Sequence, residues 1–296
     1  MEIILYQVDA FTDKPFRGNP AGVIPDAKGI TEREMQNIAK ELNLSETAFV
    51  IKKKDDLYSV RFFTPVCEVN LCGHATIATF YTLASKGYIG DIENGIVKVY
   101  QETNVGILPV EIYFKDGDIE KIMMQQKPPE SLREIENNTK DIIADILNID
   151  SDDIGLNGYS IEPEIISTGL SDIILPVKNK EVLKSIKIDI QELIKLSNSL
   201  NVTGIHAFTV DNKEVHCRNF APAVGIEEES ATGTSNGALI YKLYKHDIIQ
   251  DNMRAYQGES LGRISEIQCE ILKDDKEMKV KVGGKACIVI EGVIHI

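Results

Sequence analysis

The hydrophobic positions of the chain follow two spacings, one typical of strands and one of helices. Four short segments are rich in apolar and β-branched residues, as strands are: residues 2–10, 47–53, 57–64 and 107–114. The last of these alternates between apolar and polar residues, and Asp116-Gly117 follows it as a hairpin-turn signal. We therefore predict strands in all four segments.

Helical spacing appears between and after these strands. Thr31 and Glu34 form a capping box, and apolar residues then recur at helical intervals: Met35, Ile38, Ala39 and Leu42. Residues 139–148 and 189–199 have the pattern of amphipathic helices. The C-terminal part, from about 264 to 292, is strand-rich, with a turn signal at Asp274-Asp275 and a break at Gly283-Gly284.

One sequence pattern occurs twice, which predicts an internal duplication. In the first half, Arg-x-Phe-x-Pro precedes a Gly and an apolar run: Arg61, Phe63, Pro65, Gly73, Ala78, Tyr81 and Leu83. In the second half, the same residue types recur in the same order: Arg218, Phe220, Pro222, Gly233, Ala238, Tyr241 and Leu243. Measured from each Gly, the Ala, Tyr and Leu positions have equal offsets.

Flanking segments extend the match on both sides. Upstream, Leu42-Asn43-Leu44 leads to Ala48-Phe49, and Leu200-Asn201-Val202 leads to Ala207-Phe208. Downstream, Tyr100-Gln101 with Gly106 matches Tyr256-Gln257 with Gly262. We expect two similar domains related by a pseudo-twofold axis, 1–125 and 130–282, joined by the proline-containing segment 125–129. Gly73 and Gly233 would then face one interdomain cleft, a preferred place for small ligands.

Composition and charge exclude several classes of function. The 296 residues are 43% hydrophobic and 26% charged, which is ordinary for globular proteins, and the formal net charge of −14 disfavours binding to nucleic acids or anionic lipids. No apolar run approaches the roughly 20 residues of a membrane span, and the N-terminus does not resemble a signal peptide. The five cysteines have no repeated CxxC spacing, which disfavours a disulfide framework or a structural zinc site and favours the cytoplasm.

The two duplicated glycines predict anion-binding helix starts. Gly73 and Gly233 each stand between a strand-like stretch and an apolar helix, 74–86 and 234–246, so unpaired N–H groups there could hold a carboxylate or phosphate. The alternative is two ordinary helix starts with glycine for close packing. His74, inside the first motif, is a candidate to bind substrate or to shuttle a proton, with a capping or core histidine as the alternative.

Two further side chains are candidates for acid–base chemistry. Glu46 comes just before an apolar strand, where burial would raise its pKa, although an exposed loop glutamate fits the residues as well. Cys72 precedes Gly73 at a helix start, which can lower a thiol pKa, and paired cysteines serve as opposed bases in cofactor-independent racemases. Because Thr232 occupies the duplicate position, a symmetric two-thiol mechanism is disfavoured, and a small buried hydrophobe is the other interpretation of Cys72.

Several motifs, in order over residues 6–290, resemble the PhzF-type phenazine-biosynthesis family. They are Asp9-Ala10-Phe11-Thr12, Phe16-Arg17-Gly18-Asn19-Pro20-Ala21-Gly22-Val23, Leu44-Ser45-Glu46-Thr47, Arg61-Phe62-Phe63-Thr64-Pro65, Leu71-Cys72-Gly73-His74-Ala75-Thr76 and Gly262-Arg263-x-Ser265. The resemblance implies an α+β, diaminopimelate-epimerase-like fold of two pseudo-symmetric domains, each a curved sheet or barrel around a central helix. It also implies that residues 283–296 return to the first domain, that the protein is a homodimer, and that it needs no metal or organic cofactor.

The resemblance also assigns roles to individual residues. The best-understood family activity isomerises a dihydro-hydroxyanthranilate by moving a proton across a conjugated ring. The catalytic glutamate of the family falls on Glu46, its glycine-histidine pair on Gly73 and His74, and its second-domain pattern Glu-Asp-Pro-Ala-Thr-Gly-Ser on residues 228–234. Here Glu229 replaces Asp, Ser230 replaces Pro and Thr234 replaces Ser. These changes retain the charge and the hydroxyl group but alter the shape of the pocket.

We therefore predict a proton-transfer isomerase acting on a small carboxylate. Glu46 would be the acid/base, and the helix starts at Gly73 and Gly233 would hold the substrate carboxylate. His74, Glu229 and Thr234 would position the substrate or relay protons. Two alternatives remain: an epimerase or racemase that uses Cys72 with a non-cysteine partner, and a binding protein that retains the cleft without turnover.

Overall fold

A computed structural model describes residues 1–273 and 278–296 of the chain. The predicted turn at Asp274-Asp275 lies outside the described residues. The chain divides into two compact units, one formed by 1–125 with 283–296 and the other by 126–282. No helix in the described parts of the chain is long and apolar enough to cross a membrane.

Strands and helices alternate along both units. The strands are β1 (Glu2–Ala10), β2 (Asn19–Ile24), β3 (Glu46–Lys52), β4 (Leu57–Phe63), β5 (Glu68–Val69), β6 (Gly95–Thr103), β7 (Gly106–Lys115), β8 (Asp118–Gln125), β9 (Glu130–Glu134), β10 (Glu164–Ser167), β11 (Ser171–Pro176), β12 (Ile205–Asp211), β13 (Glu214–Ala221), β14 (Ile226–Glu229), β15 (Asn252–Gln257), β16 (Ser265–Lys273), β17 (Met278–Gly284) and β18 (Ala286–His295). The α-helices are α1 (Glu32–Leu42), α2 (Gly73–Ser85), α3 (Asn137–Leu147), α4 (Lys180–Ser185), α5 (Ile190–Leu200) and α6 (Gly233–Lys245).

The first unit is a curved sheet around helix α2. Its strands pair in the order β18-β1-β2-β3-β4-β6-β7-β8, antiparallel except for the β2/β3 and β4/β6 pairs. Helix α2 contacts β1, β2, β3, β7, β8 and β18, and ten of its residues are buried. An apolar helix enclosed by strands is the expected result of a sequence that is hydrophobic on every face. Helix α1 covers the opposite face of the sheet.

Helix α1 forms as its sequence predicts. The Thr31 hydroxyl accepts a hydrogen bond from the N–H of Glu34, and the Glu34 carboxylate accepts one from the N–H of Thr31. Asn43 ends the helix in the left-handed conformation that its short amide side chain tolerates. Met35, Ile38 and Ala39 pack against the sheet, which confirms the predicted apolar face.

The second unit repeats this arrangement around helix α6. Its strands pair in the order β9-β10-β11-β12-β13-β15-β16, with parallel pairs at β11/β12 and β13/β15. Helix α6 contacts β10, β11, β15 and β16. Helices α3, α4 and α5 cover the other face and share one apolar core with β11 and β12. Parallel and antiparallel pairs thus occur in the same order as from β2 to β7, which confirms the duplication.

The duplicated arginine has the same structural role in both units. Arg61 makes a bidentate ion pair with Glu68, with Nε–Oε1 and Nη2–Oε2 distances of 2.7 and 2.6 Å. Arg218 makes the equivalent pair with Glu228, at 2.9 and 2.8 Å. Bidentate pairs of this kind fix the geometry of both side chains. Glu228 therefore has a structural role, although a run of three glutamates such as 227–229 usually lies on the solvated surface.

The structure corrects the predicted alignment of the two copies by one residue. Arg61 lies opposite Phe49, whereas Arg218 lies opposite Ala207, so Phe49 corresponds to Ala207 and not to Phe208. Phe49 and Ala207 both belong to the apolar cores beneath the outer helices. A shift of one residue along a strand moves every side chain to the opposite face, so the correction changes which residues correspond.

Most predicted elements are confirmed, with ends that differ by one or two residues. The strands predicted at 2–10, 47–53, 57–64 and 107–114 are β1, β3, β4 and β7, and the turn at Asp116-Gly117 joins β7 to β8. The helices predicted at 139–148 and 189–199 are α3 and α5, and the two apolar runs are α2 and α6. The chain from Gln126 to Pro129 has no regular structure.

Candidate functional site

Glu46 and His74 meet at the start of helix α2. Glu46 is the first residue of β3, and His74 is the second residue of α2. The distance from Glu46 Oε2 to His74 Nε2 is 3.1 Å, and the side chains are only 14% and 4% exposed. Two residues 28 positions apart thus form a buried acid–base pair, because the sheet curves around the helix.

The ionisation of this pair differs from the sequence-based expectation. Burial works to raise the pKa of Glu46, but the charge of His74 and the closeness of His74 and Cys72 outweigh it and leave that pKa below its ordinary value. Burial works to lower the pKa of His74, but Cys72 and Glu46 raise it well above its ordinary value. Our prediction of a raised Glu46 pKa was therefore wrong. Glu46 is ionised at neutral pH, the form that can accept a proton.

Asn19 orients the imidazole from the side opposite Glu46. The distance between Asn19 Nδ2 and His74 Nδ1 is 3.2 Å, and both residues are buried. When Nδ1 accepts the Asn19 amide N–H, the neutral ring carries its proton on Nε2, the nitrogen that lies 3.1 Å from Glu46 Oε2. Asn19 lies in the Gly18-Asn19-Pro20 motif, but nothing in the sequence around it marks it as a partner of His74.

Cys72 lies beside the same histidine as a protonated thiol. Its sulfur is 3.5 Å from His74 Nδ1. Burial, together with the negative charge of Glu46, raises the pKa of Cys72 to about 11. The helix start therefore does not lower the thiol pKa as we considered from the sequence.

Glu46, Cys72 and His74 also form a set of potential metal ligands. One ligand atom from each residue lies within 4.8 Å of the other two. Carboxylate, thiolate and imidazole are the ligand types that zinc takes in proteins, and catalytic zinc sites use three protein ligands. Binding of zinc would require Cys72 to lose its proton, against a raised pKa.

Gly73 is the first residue of α2, and the three remaining predicted site residues belong to the second unit. Gly233 and Thr234 are the first two residues of α6, and the Thr234 carbonyl accepts a hydrogen bond of 2.9 Å from the Thr168 hydroxyl. Glu229 ends β14, and its Oε2 accepts a hydrogen bond of 2.7 Å from the Thr232 hydroxyl. Neither Cys72 nor Thr232 makes a side-chain cap on the helix that follows it. The first turns of α2 and α6 therefore keep N–H groups for other acceptors.

Glu46 has no counterpart in the second copy. With the corrected alignment, Gly204 corresponds to Glu46. A Cβ atom on Gly204 would lie 1.9 Å from the carbonyl oxygen of Phe220, so no side chain fits there. Only the first unit can place a carboxylate at this position.

A buried polar cluster in the second unit was not predicted. The Ser235 hydroxyl donates to Asp172 Oδ2 at 2.6 Å, and Asn219 Nδ2 lies 3.2 Å from both Ser235 Oγ and His206 Nδ1. In the corrected alignment, the corresponding residues of the first unit are all apolar and buried: Ala21, Ala48, Phe62 and Ala75. The alignment predicted from the sequence did not show this difference between polar and apolar residues. It was shifted by one residue and therefore matched residues on opposite faces of the strand.

Replacing Asp172 with Asn is expected to stabilise the protein above pH 6. Burial raises the pKa of Asp172 from 3.8 to about 6, so the folded state resists the ionisation that the unfolded chain allows. The stability of the wild type therefore falls as pH rises from about 4 to about 6, by up to about 3 kcal/mol for a shift of this size. Urea unfolding of both proteins should show Asp172→Asn more stable at pH 7.5 and no such gain at pH 4. An equal difference at both pH values would contradict this prediction.

Comparison with known proteins finds one family along nearly the whole chain. A family model for phenazine biosynthesis-like proteins (PhzC-PhzF) matches residues 8–292. An uncharacterized isomerase of Clostridium acetobutylicum is 41% identical over 301 residues, covering 97% of this chain and 96% of the relative. The uncharacterized isomerase YddE of Escherichia coli K12 is 34% identical over 292 residues, covering 96% and 95%.

Solved structures show the same fold. The Bacillus anthracis phenazine biosynthesis protein of the PhzF family superposes with a TM-score of 0.86 at 28% identity, covering all of both chains. A hydroxyproline epimerase of Agrobacterium vitis, solved with bound trans-4-hydroxy-L-proline, has a TM-score of 0.64 at 11% identity, with 99% of this chain and 91% of that chain covered. This second likeness concerns the fold alone.

Proposed function

Since this chain belongs to the phenazine biosynthesis-like (PhzC-PhzF) family, whose members similar to it are named isomerases, we propose that it is a cofactor-independent isomerase that moves a proton on a small carboxylate substrate. One observation carries the proposal: the buried contact between the Glu46 carboxylate and the His74 imidazole. An ionised carboxylate in a largely dehydrated site can take a proton from a carbon and return it to another.

Each residue of the proposed site has a separate task. Glu46 removes and returns the proton, while His74 holds it ionised and in place. The first-turn N–H groups at Gly73 and Gly233 bind the substrate carboxylate, as helix starts bind anions. In the second unit, Glu229 and Thr234 position the substrate or relay a proton. The resemblance also supports a cytoplasmic homodimer, and light scattering at several concentrations tests that state.

The proposal is tested by hydrogen exchange in D₂O. The wild-type protein is incubated with a panel of cyclic and amino-acid carboxylates, and loss of carbon-bound hydrogen is followed by NMR. Exchange on at least one carboxylate, with a new isomer formed, is the expected result. Binding of a panel member without exchange or isomerisation would instead indicate a binding protein that has lost turnover.

A Cys72-dependent epimerase is the second candidate, because the Cys72 sulfur lies within 3.5 Å of His74. The raised pKa of Cys72 opposes it, since a thiol near pKa 11 is rarely a thiolate at neutral pH. Cys72→Ala should therefore keep turnover within about tenfold of the wild type, because it leaves Glu46 intact. A loss of a thousandfold or more, measured on the same substrate, would favour the epimerase.

A further inference from the structure

Gln257 is a buried amide whose hydrogen-bonding groups are all used. It ends β15 and is fully buried. Its Nε2 donates to the Glu229 carbonyl at 2.8 Å and to Thr232 Oγ1 at 3.0 Å. Its Oε1 accepts from the Thr232 N–H at 3.2 Å and from Asn236 Nδ2 at 3.0 Å. Because two partners are backbone groups of fixed polarity, the orientation of the amide is settled.

These bonds fix the direction in which the Thr232 hydroxyl points. A hydroxyl has a single hydrogen to donate, and the amide nitrogen of Gln257 can only donate to it. The Thr232 hydrogen is therefore left for its other partner, Glu229 Oε2, at 2.7 Å. Gln257 thus donates to Thr232, and Thr232 donates to the carboxylate of Glu229. We call this series the donor chain. A hydrogen bond to an ionised group is among the stronger ones.

The donor chain also reaches helix α6. Asn236, in the first turn of α6, donates both to Gln257 Oε1 and to the Thr232 carbonyl, at 3.0 and 2.9 Å. The segment from Glu229 to the helix start is consequently held by one side chain at three points. A carboxylate placed this way loses little rotational freedom when substrate binds.

The first unit supplies a natural comparison. Gln101 occupies the position that corresponds to Gln257, and its side-chain amide lies 3.2 Å from the Thr76 hydroxyl. The residue that corresponds to Thr232 is Cys72, whose sulfur contacts His74. The donor chain is therefore a feature of the second unit, where β14 ends in Glu229.

We propose that Gln257 is a positioning residue that acts through the Thr232 hydroxyl to hold the carboxylate of Glu229 for the reaction. This inference rests on the proposed function, in which Glu229 contacts the substrate. Gln257 itself does not touch the substrate. Its contribution is to the transition state, because a Glu229 carboxylate without the Thr232 hydrogen bond would still allow the substrate to bind.

The test compares variants that remove the hydroxyl or the amide with variants that keep them. Thr232→Val has nearly the same shape without the hydroxyl, Thr232→Ser retains it, and Gln257→Met replaces the amide at similar length. We expect Thr232→Val and Gln257→Met to lower kcat roughly 10- to 100-fold with KM within about threefold, and Thr232→Ser to restore kcat. The double variant should lose no more than either single variant, because both act through one chain. Gln101→Met is the matched control and should keep kcat within about threefold.

Failure of this inference is distinguishable from failure of the proposed function. Wild-type kcat in Thr232→Val, with Glu229→Gln inactive, would overturn the positioning role alone, whereas a fully active Glu229→Gln would remove Glu229 from the site. Amide hydrogen exchange of residues 226–236, measured without substrate, gives a second readout. We expect faster exchange there in Thr232→Val and Gln257→Met and wild-type exchange in Thr232→Ser. Unchanged exchange in the first two variants would overturn the proposal even if no panel carboxylate is turned over.

Discussion

Glu46→Gln is expected to lower turnover between about a hundredfold and ten-thousandfold, the range that general acid–base residues contribute. The variant keeps the size of the side chain and an oxygen that can face His74 Nε2, but an amide cannot accept a proton from carbon. The loss should appear in kcat, because substrate binding is assigned to the helix starts and not to Glu46.

Stability separates a lost base from a damaged fold. The fold should survive Glu46→Gln, because the amide fills the same space between β3 and α2 and the partner, a histidine, can lose its proton. Thermal unfolding should therefore begin within a few degrees of the wild type. Glu41→Gln, on the exposed surface of α1, removes the same charge away from the site and should keep full turnover. Full turnover in Glu46→Gln on the substrate of the wild type would remove Glu46 from the mechanism.

Glu164→Gln should produce the largest loss of stability. Lys242, on α6, lies with its Nζ 2.8 Å from Glu164 Oε2, and the two side chains are 1% and 2% exposed. Removing one partner of such a pair leaves a buried charge without compensation, which typically costs about 3–5 kcal/mol. Urea unfolding at neutral pH measures this difference directly.

The opposite replacement should cost less, because Glu164 has a second cation. Lys245 Nζ lies 3.2 Å from Glu164 Oε1, so Lys242→Met leaves the carboxylate with a partner. Replacing both residues, with Glu164→Leu and Lys242→Met, should recover much of the stability, since an apolar pair has no charge to bury. If Glu164→Gln were no less stable than Lys242→Met, the claim that loss of Glu164 costs more than loss of Lys242 would be wrong.

The sequence predicts the repeated elements well because local patterns determine them. Capping, turn and periodicity signals lie within a few residues, and α1, α3, α5 and most of the expected strands formed where those signals stand. The predicted alignment of the two copies was wrong at β12. It matched Ala48 with Ala207, although Ala207 lies one residue farther from Leu200 than Ala48 lies from Leu42. Only the strand pairing shows that Ala207 faces Arg218.

The environment of each site residue could not be predicted in the same way. The sequence places Glu46 before a strand, but the low pKa of Glu46 depends on His74, which only the folded sheet brings near. The high pKa of Cys72 likewise depends on burial and on Glu46 more than on its position at a helix start. Asp172 and its polar neighbours come from four separate elements, and no local pattern marks them.

Exchange of carbon-bound hydrogen with D₂O, measured side by side in the wild type, Glu46→Gln and Cys72→Ala, tests the central claim most directly. The substrate is the panel carboxylate that the wild type isomerises, and its C–H signal is followed by NMR. Transfer by Glu46 predicts that the signal is lost with the wild type and with Cys72→Ala and persists with Glu46→Gln. Loss of the signal with Glu46→Gln at the wild-type rate, or its persistence with Cys72→Ala, would contradict the account.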